Sequence, residues 1–187
     1  MNHILLAGKA SQQLSAYQPH ARPKTLYPYF MQLVVCPGSF DPIHNGHVEI
    51  ITRAAKTYGS VLVAVAHNSK KNYRFSLDER VQMVRDTFEY LDGVTVEALP
   101  PDVLLADFVR SKGSSLMVKG LRNVADFEYE APMASMNRHI SGVETSFVVG
   151  DPKWTHLSST IVKEIAFYKG DVTAFVPRSV QKAFGQL

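Results

Sequence analysis

From Gln32 onward, short apolar runs alternate with longer amphipathic segments. The runs 32–36, 61–66, 94–98, 115–118 and 145–149 are apolar through the middle, which predicts strands buried on both faces. Between them the pattern predicts helices over 47–58, 77–90, 102–112, 126–139 and 159–168, and a last one over 178–185. Ser76-Leu77-Asp78-Glu79 is a capping box that opens the second of these. Gly59, Gly93 and Gly113 punctuate element ends. Strands separated by helices form right-handed crossovers and a parallel sheet covered on both sides. The expectation is one Rossmann-like, doubly wound α/β domain over 31–187, with a five-stranded parallel sheet. Pro132 conflicts with this locally. A proline inside a helix removes one hydrogen bond and costs roughly 3 kcal/mol, so the 126–139 helix is expected to kink there or to start afresh.

Residues 1–30 do not share this pattern. They carry Gln12-Gln13 and three prolines (Pro19, Pro23, Pro28), and Ile4-Leu5-Leu6-Ala7 is too short for a secretory core. They read as a disordered tail, a vector-derived leader or a mis-called start, with Met31 as the initiator. They also hold Lys9, Arg22 and Lys24 and no acid. The formal charge of +3 therefore resides there, and the remainder of the chain is neutral. A neutral body lacks the basic face of a nucleic-acid binder. The single cysteine, Cys36, excludes an intrachain disulfide and fits a cytoplasmic protein. No apolar run approaches the roughly 20 residues that span a bilayer, so no membrane partner is expected.

In a doubly wound sheet, ligands bind beyond the C-terminal strand ends. The loops expected there are 37–46, 67–75, 99–101, 119–125 and 150–158. The first gives Gly38, Ser39, Phe40 and His44-Asn45-Gly46-His47 at a helix start, where backbone N–H groups attract anions and an imidazolium adds charge. The second gives Lys70, Lys71 and Arg74, the fourth Lys119-Gly120-Leu121-Arg122. The fifth leads through Trp154-Thr155-His156-Leu157 into Ser158-Ser159-Thr160 at another helix start. Each of these segments has an ordinary reading in isolation: a tight turn, a helix cap, a solvated lysine pair, a packed tryptophan. Their recurrence at successive strand ends favours a triphosphate site. No nucleophile–base pair stands out. Such a site suits direct transfer between bound phosphates, which depends on alignment and charge stabilisation.

His44-Asn45-Gly46-His47 together with Leu157-Ser158-Ser159-Thr160-Ile161-Val162-Lys163-Glu164 resembles the two signatures of the HxGH nucleotidylyltransferases. The stretch from Lys119 through Glu130, with Met136-Asn137-Arg138-His139, narrows the resemblance to the bacterial phosphopantetheine adenylyltransferases. It runs from about Met31 to the C-terminus. It implies that ATP and 4′-phosphopantetheine give dephospho-coenzyme A and pyrophosphate, with Mg²⁺ carried by ATP and no metal ligated directly by the protein. It also implies a homohexamer inhibited by coenzyme A. By motif, Ser39 touches both substrates, and Phe40 and His47 lie at ATP, with His47 stabilising charge at the α-phosphate. Lys71 and Lys119 hold the acceptor phosphate, and Leu105 lines the pantetheine pocket. Gly120, Leu121, Arg122 and Glu130 contact ATP, and Trp154, Thr155, His156, Leu157, Ser158, Ser159 and Thr160 cradle it. Tyr129, Asn137 and Glu164 fall on the acceptor side. His44 stands where this family has threonine, and Lys119 where many members have arginine, which loses a bidentate fork but keeps the charge.

Two other readings stay open on the sequence. One is a nucleotidylyltransferase that uses nicotinamide mononucleotide or glycerol 3-phosphate as acceptor. The other is a nucleotide-binding module without catalysis, for which retention of both His47 and Lys71 has no purpose.

Overall fold

The computed structural model describes residues 32–68 and 70–187. The expectations for 1–30 and for Met31 as initiator lie outside the described residues. The strands are β1 (Gln32–Gly38), β2 (Gly59–Val65), β3 (Val94–Ala98), β4 (Leu116–Leu121) and β5 (Glu144–Val149). The helices are α1 (Asn45–Tyr58), α2 (Leu77–Phe88), α3 (Leu105–Ser111), α4 (Val124–Ser141), α5 (Ser159–Phe167) and α6 (Arg178–Ala183). A short 3₁₀ turn, Pro152–Trp154, precedes α5. All five strands are parallel, in the order β3-β2-β1-β4-β5. The order reverses direction between β1 and β4, the place where a doubly wound sheet opens a crevice.

Strand alternation divides the core in two. Val34, Cys36, Val61, Val63 and Val65 face one layer, which packs against α1, α2, α5 and α6. Val35, Leu62 and Ala64 face the other, with Phe108 and Val109 of α3. Successive residues of β1 and β2 are therefore buried on opposite faces, which is why these strands are apolar without interruption.

Three boundaries depart from expectation in ways that affect the site. β1 continues through Pro37 and Gly38, paired with Ala64 and Val65. β4 runs on to Leu121 because Lys119, Gly120 and Leu121 pair with Phe147, Val148 and Val149 of β5, so these three residues are strand rather than loop. Gly120 is required there, since a Cβ would lie 2.8 Å from Ile50 Cγ1 of α1. The prediction at Pro132 also changes: α4 is a single 18-residue helix that runs through the proline and does not restart. The carbonyl that loses its partner belongs to Glu128, an exposed residue.

Candidate active site

A cleft of about 610 Å³ opens at the C-terminal ends of β1 and β4. Three helices present their N-termini to it. Gly46 and His47 come from α1, Arg122 and Asp126 flank the start of α4, and Ser158, Ser159 and Thr160 begin α5. Each helix start is built for this. Asn123 Oδ1 accepts from the Asp126 amide at 2.9 Å, and Ser158 Oγ accepts from the Ile161 amide at 3.2 Å. Ser159 Oγ donates to the Pro42 carbonyl at 2.8 Å, which ties α5 to the loop after β1. Three helix dipoles ending in one cleft make it attractive to anions.

The loop after β1 is shaped from below. Phe40 is buried and adopts φ of +49°, a left-handed conformation uncommon for a bulky residue. Its ring lies under Gly38, where a Cβ would fall 2.7 Å from Phe40 Cζ, and meets the His47 ring edge-on at 5.1 Å. The His44 ring stacks on that of His47 at 3.6 Å. The His44 amide donates to His47 Nδ1 at 3.2 Å. Nδ1 is thus an acceptor, and the ring proton sits on Nε2. Burial, and then the Arg122 charge, push the His47 pKa down to about 3. Burial, followed by His47 and Arg122, lowers His44 further. The imidazolium expected at this position is a neutral imidazole held as an Nε2–H donor.

Asp41 is the anchor of the next loop. It is 4 % exposed and accepts from the amides of Arg74 and Phe75 at 3.0–3.2 Å and from Lys163 Nζ of α5 at 2.7 Å. Burial raises its pKa, but Lys163 and the two amides outweigh this and keep the carboxylate ionised below its usual range. Arg80 of α2 is fully buried and donates to the carbonyls of Ser39, Ala66 and Phe75. The loops carrying Ser39 and Lys71 are thereby fixed to each other through α2.

The opposite wall is α4. Arg122 forms a two-pronged pair with Asp126 at 2.9 Å and also donates to the Leu157 carbonyl at 3.1 Å. The Asp126 hydrogen bonds raise the Arg122 pKa, and Arg122 in turn lowers that of Asp126. Lys119 pairs with Glu130. Lys71 is exposed and makes no ion pair among the described residues.

The cleft brings together Ser39, Phe40, His47, Lys71, Lys119, Gly120, Leu121, Arg122, Tyr129, Glu130, Trp154, Thr155, Ser158, Ser159 and Thr160. It leaves out five others. Leu157 is 1 % exposed, and its side chain belongs to the core, so only its backbone faces this region. The His156 ring turns toward Phe175 at 6.4 Å. Leu105 packs against the α3 core. Asn137 lies three turns along α4. Glu164 lines a shallow groove that adjoins the cleft and shares Asn72, Tyr73 and Lys163 with it. Sequence reasoning assigned no role to Asp41, Tyr73 or Arg80. Asp41 was visible within the glycine-rich turn, but nothing in a single chain distinguishes Arg80 from the solvated arginines around it.

A sheet of this order with three helix starts and four cations at its reversal point defines a nucleotide-binding α/β protein of the nucleotidyl-transfer kind. Residues 35–165 match the cytidylyltransferase-like family model. The phosphopantetheine adenylyltransferase of Pseudarthrobacter chlorophenolicus is 54 % identical over 150 residues, 80 % of this chain and 90 % of that one. That of Paenarthrobacter aurescens is 51 % identical over 152 residues, covering 81 % and 91 % of the two chains. That of Micrococcus luteus is 53 % identical over 150 residues, covering 80 % and 95 %. The chain belongs to the phosphopantetheine adenylyltransferases, within the cytidylyltransferase-like family.

Proposed function

We propose that this cleft aligns MgATP and 4′-phosphopantetheine for direct adenylyl transfer. An oxygen of the acceptor phosphate attacks the α-phosphorus in line. The bond from that phosphorus to the β-phosphate oxygen breaks, and pyrophosphate leaves with the electron pair. Dephospho-coenzyme A is the other product, and no covalent enzyme intermediate forms. The observation that carries this reading is the state of His47. Its Nδ1 is occupied by the His44 amide, so Nε2–H is a fixed donor toward the cleft. A donor aimed where charge develops stabilises the transition state more than the ground state.

Lys71 is assigned to the acceptor phosphate together with Lys119 and Ser39, and Arg122 and the α5 start to the ATP phosphates. Lys119 must exchange Glu130 for phosphate as the acceptor enters. Magnesium enters as the counter-ion of ATP. Four of the five carboxylates that line the cleft, Asp41, Glu49, Asp126 and Glu130, are engaged by protein cations, and the fifth, Asp151, accepts from the Lys153 amide at 2.8 Å, which supports placing the ion on the triphosphate. Leu105, Tyr129, Asn137 and Glu164 are assigned to the pantetheine side.

The assembly is read as a homohexamer. Supporting this, α4 buries no residue within the protomer and exposes Val124, Phe127, Tyr129, Met133, Met136 and Ile140. Coenzyme A exceeds the product by one phosphate group, which supports feedback through the same cleft. Among the described residues no helix is long and apolar enough to cross a membrane, and the single cysteine is buried and unpaired. A cytoplasmic location accords with this.

The test is incubation of the protein with ATP, Mg²⁺ and 4′-phosphopantetheine, with dephospho-coenzyme A followed by mass. Turnover only with nicotinamide mononucleotide or glycerol 3-phosphate in place of the pantetheine acceptor would overturn the reading.

A further inference from the structure

One side chain in the cleft takes no part in the scheme above, yet it touches the residue placed between the two substrates. Tyr73 Oη accepts from the Asn68 amide at 2.7 Å and lies 3.4 Å from Ser39 Oγ. Its ring is clamped. The Arg80 guanidinium sits 4.1 Å from the ring centroid on one side, and the His67 ring lies 4.8 Å away. Arg80 cannot move independently, because it is fully buried and holds the carbonyls of Ser39, Ala66 and Phe75. No carboxylate pairs with it among the described residues, and its Nη2 finds no acceptor, so the face of Tyr73 is a principal neighbour of this charge.

The proton inventory gives the arrangement a direction. A phenol oxygen has one proton to donate and lone pairs to receive. The Asn68 amide can only donate, so it occupies a lone pair. The phenol is a stronger acid than an aliphatic alcohol, so its proton goes to Ser39 Oγ. With Oγ accepting from behind, the serine's own proton is free to point into the cleft. At 3.4 Å the contact is long for a bond between two hydroxyls.

We propose that Tyr73 is a positioning residue for adenylyl transfer: it orients the Ser39 hydroxyl so that its proton is presented to the reacting phosphates, and Arg80 fixes the tyrosine ring that does so. The inference rests on the placement of Ser39 at both substrates.

Steady-state kinetics of Tyr73→Phe, Ser39→Ala and the double variant, with MgATP and 4′-phosphopantetheine, test it. Phenylalanine keeps the ring beneath Arg80 and removes only the hydroxyl. Tyr73→Phe is expected to lower kcat about tenfold, with both KM values within about twofold of the parent. Ser39→Ala is expected to lower kcat further, and the double variant to match Ser39→Ala alone. Parental kcat in Tyr73→Phe beside an impaired Ser39→Ala overturns this inference and leaves the reading of the cleft standing. Multiplying losses in the double variant, or a rise in acceptor KM alone, also overturn it, because the tyrosine would then act through the Lys71 loop. Full activity in Ser39→Ala removes both the inference and the role given to Ser39.

Discussion

The two walls of the cleft carry charge in different ways. On the β1 side the polar groups that hold the loops are buried and committed. Arg80 is fully enclosed, Asp41 is 4 % exposed, and His47 is held by contacts with the Phe40 and His44 rings. These groups have their partners within the protomer and hold loops in place. On the α4 side the charges are half-buried and paired with each other, Lys119 of β4 with Glu130 and Arg122 with Asp126, the two carboxylates standing on a helix that buries none of its own residues. A buried wall can hold a hydrogen-bond donor in fixed geometry before substrate arrives. A wall of paired cations can exchange a carboxylate for a phosphate with no charge left unpaired, because one anion takes the place of the other. The difference teaches that preorganisation and adaptability are divided between the walls.

The sharpest way to break the comparison is His47→Ala. If the committed wall supplies the transition-state donor, kcat falls about 100–1000-fold while the far-UV spectrum is unchanged, as stopped assays and circular dichroism would record. Near-parental turnover would move the chemistry to the other wall. Asp41→Asn comes next. Losing the charge leaves Lys163 and two amides facing a poorer acceptor in a buried site, and chemical denaturation should show a loss of about 3 kcal/mol. The equivalent change on the α4 wall, Asp126→Asn, should cost less, about 1 kcal/mol, because the Arg122 side chain left behind is exposed to water.

Acid supplies a third, smaller effect. Both stacked histidines have folded-state pKa values below the ordinary 6.5, so the unfolded chain takes up protons that the folded chain refuses. Stability is therefore fully present above pH 6.5 and is lost as the pH falls below it, down to about pH 3 for His47, by at most about 1.4 kcal/mol per pH unit for each ring. Urea unfolding at pH 7.5 and 5.5 should show this fall, and His44→Thr should lessen it. The smallest effect on the protomer is expected at Met133→Asp. It lies on the exposed apolar face of α4, and its unfolding free energy should change by less than about 0.5 kcal/mol. Light scattering should nonetheless show a smaller assembly. An unchanged mass would separate that face from the oligomer.

Periodicity was sufficient for the α/β alternation because burial on both faces forces continuous apolar strands, and Ser76-x-x-Glu79 marks a helix start by local hydrogen bonding alone. The His44-to-His47 turn, the Lys119-to-Arg122 stretch and the Ser158-to-Thr160 start were legible for the same reason: each is a short run whose chemistry is complete in itself. Lys119 to Leu121 were read as loop because pairing with β5 depends on residues some 28 positions away. The state of His47 was misread because an imidazole's charge depends on what surrounds it, and the sequence records only that it is a histidine. Local pattern and residue type were enough for the order of elements and for the phosphate-binding segments. Only the tertiary structure decided that Arg80 is buried beneath Ser39, that Tyr73 reaches its hydroxyl, and that Leu157 turns inward. Those are contacts between residues 34 to 41 positions apart, or the outcome of competition for one core, and burial sets their energies in ways no neighbouring residue announces.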